Sequence, residues 1–231
     1  MSKSETVKVT DPPDISIPRT LPRGRHTLDN SVVKASQRLR LIEAITEVCA
    51  EKGYAAATVA DVIERSGISR KTFYEHFDNK EECFVQAYDE GLGLIDEAVG
   101  AAFLSTTDWQ ERLRYSVEAF LQSLAERPAY ARIYATEVLV AGGIVRRHRD
   151  ERVEQIIQVY RELNRYAHEA DSAVPLMKDD LLVAIVGGVA ELVRRTVHLR
   201  GPERLPDIAD SITDFVWTMI RRTDCHDTDT A

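Results

Sequence analysis

Thr58 to Lys80 read TVADVIERSGISRKTFYEHFDNK, two short amphipathic runs divided by one glycine. Thr58 followed by Asp61 has the spacing of a capping box, in which a hydroxyl accepts from a backbone N–H one turn on and the carboxylate reaches back. Val59, Val62 and Ile63 give the first run its apolar stripe, and Gly67 ends it after barely two turns. Ser69 can cap the second run. There Phe73 and Phe77, four residues apart, share an inner face and leave Arg70, Lys71, Tyr74 and His76 at the periphery. Two short helices joined through a glycine turn, the second edged with basic, hydroxyl and aromatic side chains, have the character of a helix-turn-helix.

That motif predicts a chemistry. The first helix crosses the DNA backbone while the leading residues of the second meet base edges in the major groove. Ser69, Arg70, Lys71 and Thr72 form that leading edge. Arginine is the side chain best shaped to grip guanine with two hydrogen bonds. Tyr74, His76, the hydroxyl and amide of Thr58 and the positive helix start near Lys80 are placed to hold phosphates. The competing readings are a solvated face for Arg70 and Lys71, and a surface or packing role for His76. The whole motif tells for DNA contact.

Outward from this motif the periodicity stays helical. Leu41, Ile42, Ile45, Val48 and Cys49 mark a first helix from Val32 to Gly53. Asn79 with Glu82 opens a long one carrying Phe84, Tyr88, Leu92, Ile95, Val99 and Phe103. Asp108 opens the next, which stops before Pro128, and a shorter helix ends near Gly142 and Gly143. Val153 to Leu163, Lys178 to Leu199 and Ile208 to Met219 mark three more. No alternation of β type appears, so the predicted fold is all-α with about nine helices. The predicted organisation is an arm over 1–30, a three-helix DNA-binding domain over 31–79, a helical ligand-binding and dimerisation domain over 80–222, and a tail over 223–231.

Composition bounds the function. The 231 residues, 44% apolar and 29% charged, are those of a globular chain. The net charge of −8 opposes a nucleic-acid partner until its distribution is read: Arg19 to Lys80 holds 11 Lys or Arg against 8 Asp or Glu, and the remainder is acidic. Three separated cysteines, Cys49, Cys83 and Cys225, argue against disulfides and zinc ribbons and read as reduced thiols of a cytoplasmic protein. No apolar run suits a membrane span, and the N-terminus lacks the centre of a secretory signal. Neither a metal-ligand spacing nor a nucleophile beside a base is present, so no cofactor, metal site or catalytic residue is expected and an enzyme is disfavoured.

The stretch from Gln37 to Lys80, above all Thr58, Gly67, Ser69, Tyr74, His76, Phe77 and Lys80, resembles the DNA-binding domain of the TetR family of bacterial transcriptional regulators. Lys71 departs from the pattern, in which glycine is frequent. The resemblance implies a second, helical domain that holds a small ligand and pairs with another copy through its last two helices, most simply a repressor released from a palindromic operator by its effector.

For that second domain the residues themselves offer candidates. Leu181 to Val197 has more apolar perimeter than one core can use, so with the last helix it is a candidate half of an intermolecular four-helix bundle. The candidate interface is Leu182, Val186, Val189, Val193, Ile212, Phe215, Val216 and Met219. Tyr115, Phe120, Tyr134, Tyr160 and Glu191 are candidates for a largely apolar pocket, the alternatives being core aromatics and a carboxylate paired with Arg194 or Arg195. A DNA-binding protein without any effector, architectural or partner-controlled, stays open as the second reading. In the arm, Arg23 and Arg25 flank Gly24 in a segment suited to a narrow minor groove, or to a simple tail.

Overall fold

The computed structural model describes residues 30–221; Arg23, Arg25, Cys225 and the rest of both ends lie outside the described residues. Helix α1, Asn30–Lys52, buries Leu41, Ile45, Val48 and Cys49. Helices α2, Val59–Ser66, and α3, Arg70–His76, follow in the register expected from the motif. The Thr58 and Asp61 box forms in both directions, at 3.2 Å from Asp61 N to Thr58 Oγ1 and 2.9 Å from Thr58 N to Asp61 Oδ2. Gly67 takes φ +64°, a left-handed conformation that costs an L side chain roughly 1–2 kcal/mol. Its N–H caps α2 on the Ile63 carbonyl.

The remaining helices are α4, Lys80–Leu104, and α5, Trp109–Ala125. A continuous piece follows: α6, Pro128–Arg132, a π-helical turn, Ile133–Glu137, and α7, Val138–Val140. Then come α8, Gly143–Ala170, α9, Asp179–Leu199, a 3-10 segment, Pro202–Ile208, and α10, Ala209–Arg221. Counting the α6 to α7 piece once gives nine helices, and no strand occurs among the described residues. No helix there is long and apolar enough to cross a membrane.

Two cores share α4. Its first turns complete the helix-turn-helix core with Cys83, Phe84, Ala87 and Tyr88, joined by Ile133, Val138, Ala141 and Val145 from further along the chain. Its later turns, from Ile95, join α5, α9 and α10 around Leu121, Ile185, Val193, Ile212 and Val216. Between the cores α4 meets α6 at Gly91, where a Cβ would fall 1.7 Å from the Tyr130 ring, so only glycine permits this approach. The Tyr130 hydroxyl then donates to the Tyr88 carbonyl at 2.9 Å.

Candidate nucleic-acid face and interior cavity

On α3 the inner face is closed by Phe73 and Phe77, both almost wholly buried with ring centroids 5.8 Å apart. The outer face presents Arg70, Lys71 and Tyr74 to solvent. Lys71 lies 3.8 Å from Glu75, a loose pair one turn on. Ser69 Oγ accepts from the Thr72 N–H at 3.1 Å and contacts its hydroxyl at 2.9 Å, so the two hydroxyls order the leading edge while staying near the surface. His76 is half-buried, with Nε2 3.4 Å from the Gln37 amide oxygen. Burial lowers its pKa and favours the neutral ring.

The side chain of Lys80 turns away from the outer face. Its ammonium points inward, donating to the Tyr54 and Ala57 carbonyls at 2.7 and 2.9 Å and lying 4.1 Å from the Tyr54 ring centroid. It fastens the loop between α1 and α2 and is not a free surface charge. Thr58 is likewise occupied as a cap, although exposed.

Beyond the helix-turn-helix a cavity of about 1100 Å³ opens between α4, α5, α8 and α9. That is slightly above the range of roughly 300–1,000 Å³ usual for small-molecule sites. Its wall follows α4 from Tyr88 to Leu104, about 24 Å at 1.5 Å per residue, so it is a long slot. Leu92, Ile95, Val99, Leu113, Val117 and Val186 make the middle of the wall apolar. Two polar atoms facing this region, Ser116 Oγ and Arg152 Nε, are buried with no hydrogen-bond partner among the described residues. Arg152 itself bridges α8 to Asp96 on α4.

The predicted pocket residues divide. Phe120, Tyr134, Tyr160 and Glu191 line the slot, Phe120 and Tyr134 edge to face at 5.8 Å. Tyr134 and Tyr160 sit deep enough that desolvation raises both phenols, Tyr160 to about 12, so neither ionises near neutral pH. Tyr115 is not brought to them: it faces an external groove with Glu118, Gln122 and Pro206, its ring under Arg114, because it points from the opposite side of α5. Glu191 is held by both Nε and Nη2 of Arg194 at 2.7 Å, and these hydrogen bonds lower its pKa.

The predicted interface residues also divide. Leu182, Val193, Ile212 and Val216 are at most 1% exposed inside the chain's own core, and Val186 and Val189 are nearly so. In this chain their side chains are enclosed where α9 packs against α8, α10 and the 3-10 segment. Phe215 and Met219 are half-buried, the former resting on Gly188 of α9. In the middle of α9 the exposed residues are Val183, Ala184, Gly187, Glu191 and Arg195.

Glu137 has no counterpart among the expected residues. It accepts a hydrogen bond from Tyr54 N at 2.7 Å, tying the π-helical turn that carries Tyr134 into the slot to the loop ahead of α2. Such wide turns interrupt an α-helix at a cost and concentrate at functional positions. Sequence carries no signal for one. Arg112, Ser116 and Arg152 escaped for a different reason, since polar residues in an amphipathic repeat read as the solvent face.

Residues 41–87 match the family of bacterial regulatory proteins, tetR family. The HTH-type transcriptional activator FasR of Mycolicibacterium smegmatis is 30% identical over 128 residues, 53% of this chain and 58% of that one. The HTH-type transcriptional regulator EthR of the same organism is 32% identical over 124 residues, 51% and 54% respectively. The chain thus spans little more than half the length of these curated relatives. In fold it is similar to the transcriptional regulator FadR of Bacillus subtilis, solved in complex with stearoyl-CoA, with a TM-score of 0.70 over 81% of this chain and 99% of that one at 18% identity. The helix-turn-helix is thus similar to the DNA-binding domain of the bacterial regulatory proteins of the tetR family over residues 41–87, and the fold as a whole is similar to that of the solved regulator.

Proposed function

We propose that this chain is a DNA-binding transcriptional regulator whose interior slot receives a small, largely apolar effector. The observation that carries the reading is the pairing of an exposed, basic α3 edge with a long apolar slot in one compact body. The slot also speaks against a DNA-binding protein that lacks an effector, since a closed core would bury the same side chains more favourably. Stearoyl-CoA in the FadR relative is a long-chain ligand, and a slot about 24 Å long along α4 suits a molecule of that class. Coupling would run from Tyr134 through the π-helical turn to Glu137 and Tyr54, and so to α2.

The functional unit is a two-fold dimer on a palindromic operator, because one recognition helix reads too few base pairs for a specific site. Its contact face is Val183, Ala184 and Gly187 of α9 with Phe215 and Met219 of α10. In its simplest form the protein is a repressor that leaves DNA when the effector favours another spacing of the two α3 helices. Selection from a random DNA pool tests the reading: enriched sites should carry inverted half-sites about 34 Å apart. Asymmetric sites, or no enrichment, would contradict it.

A further inference from the structure

We propose that the slot takes an anionic amphiphile whose charged head is gripped by Arg112 at the Phe103 and Tyr166 end, with its apolar chain running toward Tyr134. This rests on the reading of the slot as the effector site, and adds to it the charge and the direction of the ligand.

The wall carries five arginines, Arg112, Arg149, Arg152, Arg165 and Arg194, against four carboxylates, Asp96, Glu162, Glu169 and Glu191. Four of the arginines have a carboxylate partner. Arg149 lies 3.1 Å from Asp150, Arg152 bridges to Asp96, Arg165 pairs with Glu162 and Glu169, and Arg194 grips Glu191. Arg112 has no carboxylate partner among the described residues. It is the wall's uncompensated positive charge.

Arg112 is also held ready. Its guanidinium is stacked 4.5 Å from the Phe103 centroid and 4.7 Å from that of Tyr166, and Nε donates to the Thr106 carbonyl at 2.8 Å. The Tyr166 hydroxyl, donating to the Thr107 carbonyl at 3.0 Å, fixes the second ring. Both terminal nitrogens remain for an acceptor. A planar fork offers two parallel N–H donors to a carboxylate or phosphate, and its immobilisation is already supplied by the fold.

The polarity of the wall sets the direction. Leu104, 78% exposed, shows that this end opens to solvent, where a charged head keeps part of its hydration. Inward, Val99, Ile95, Leu113 and Val117 give the wall an apolar surface for the chain to lie against. Carboxylate and phosphate heads share this recognition chemistry, so both are included as probes.

Calorimetric titration of the full chain with hexadecanoate, hexadecyl phosphate and hexadecanol, below their aggregation limits, tests the proposal. Native protein should prefer at least one anion over the alcohol by about tenfold or more. Arg112→Gln should erase that preference while binding hexadecanol as before, which also reports an intact slot. Arg112→Lys should keep a preference of the same sign, and Arg114→Gln, outside the slot wall and paired with Glu118, should keep it in full. A preference that persists in Arg112→Gln overturns the proposal, as does one lost in an Arg112→Lys variant that still binds hexadecanol. Equal binding of all three probes by native protein overturns it too, and leaves the effector reading intact. Binding of none would overturn both.

Discussion

The two ends of α4 obey opposite rules. Around its first turns nearly every polar group is engaged within the chain, for Thr58 and Asp61 cap each other, Lys80 closes a loop, and Arg65 grips Glu47 and Glu51. Even the cysteines there are inert, burial pushing the Cys49 thiol up to about 12 and Cys83 further. Around its later turns the wall keeps Ser116 Oγ and Arg152 Nε without partners, an arginine without a carboxylate, and open volume. A region that satisfies itself is rigid and presents a fixed face. A region that leaves groups unsatisfied gains stability from whatever completes it, which is the thermodynamic requirement for a sensor.

That contrast predicts unequal responses to truncation. Phe73→Ala removes a wholly buried ring from the self-contained core and should cost about 3–5 kcal/mol. Phe120→Ala on the slot wall, already partly accessible, should cost about 1–2 kcal/mol. Urea unfolding of both variants checks the difference, and equal losses would erase the distinction between the two regions.

The face that the rigid region presents is tested by Arg70→Ala. The fold should be unchanged, while discrimination at one base pair per half-site falls by about 1–3 kcal/mol, measured over an operator library. A uniform loss across all sequences would make Arg70 a phosphate contact instead.

A smaller effect comes from the cap that orients α2. Thr58→Ala should destabilise the protein by about 1 kcal/mol. Hydrogen bonds from Lys52 and Thr58 lower the pKa of Asp61 from 3.8 to about 2. Because the folded value is the depressed one, this stabilisation is complete above about pH 4 and is lost as the pH falls toward 2. Thr58→Ala should therefore flatten the acid limb of the stability profile, and an unchanged limb would remove Asp61 from the account.

The same contrast governs what the sequence discloses. Capping boxes, the glycine stop and the spacing of Phe73 and Phe77 are local signals, and α2 and α3 fall where they predict. Lys80 lies beyond that reach, since its partners Tyr54 and Ala57 are more than twenty residues away and a lysine at a helix start reads equally well as a surface charge. The slot is less legible still. Apolar periodicity locates the helices that line it but does not say whether facing stripes touch or stand apart. Hence Phe120, Tyr134 and Tyr160 meet there while Tyr115, equally aromatic, turns outward. The apolar surplus of α9 is ambiguous for a related reason: it counts neighbours without saying whether they belong to the same chain.

The central claim is that occupancy of the slot and occupancy of DNA are coupled through one body. Its most direct test is the affinity of the protein for its selected operator, read by fluorescence anisotropy of labelled DNA, with and without saturating hexadecanoate or hexadecyl phosphate. The account predicts a change of about 5- to 150-fold, and the same factor in ligand affinity when DNA is added first. A ligand that fills the slot and leaves operator affinity unchanged would contradict it.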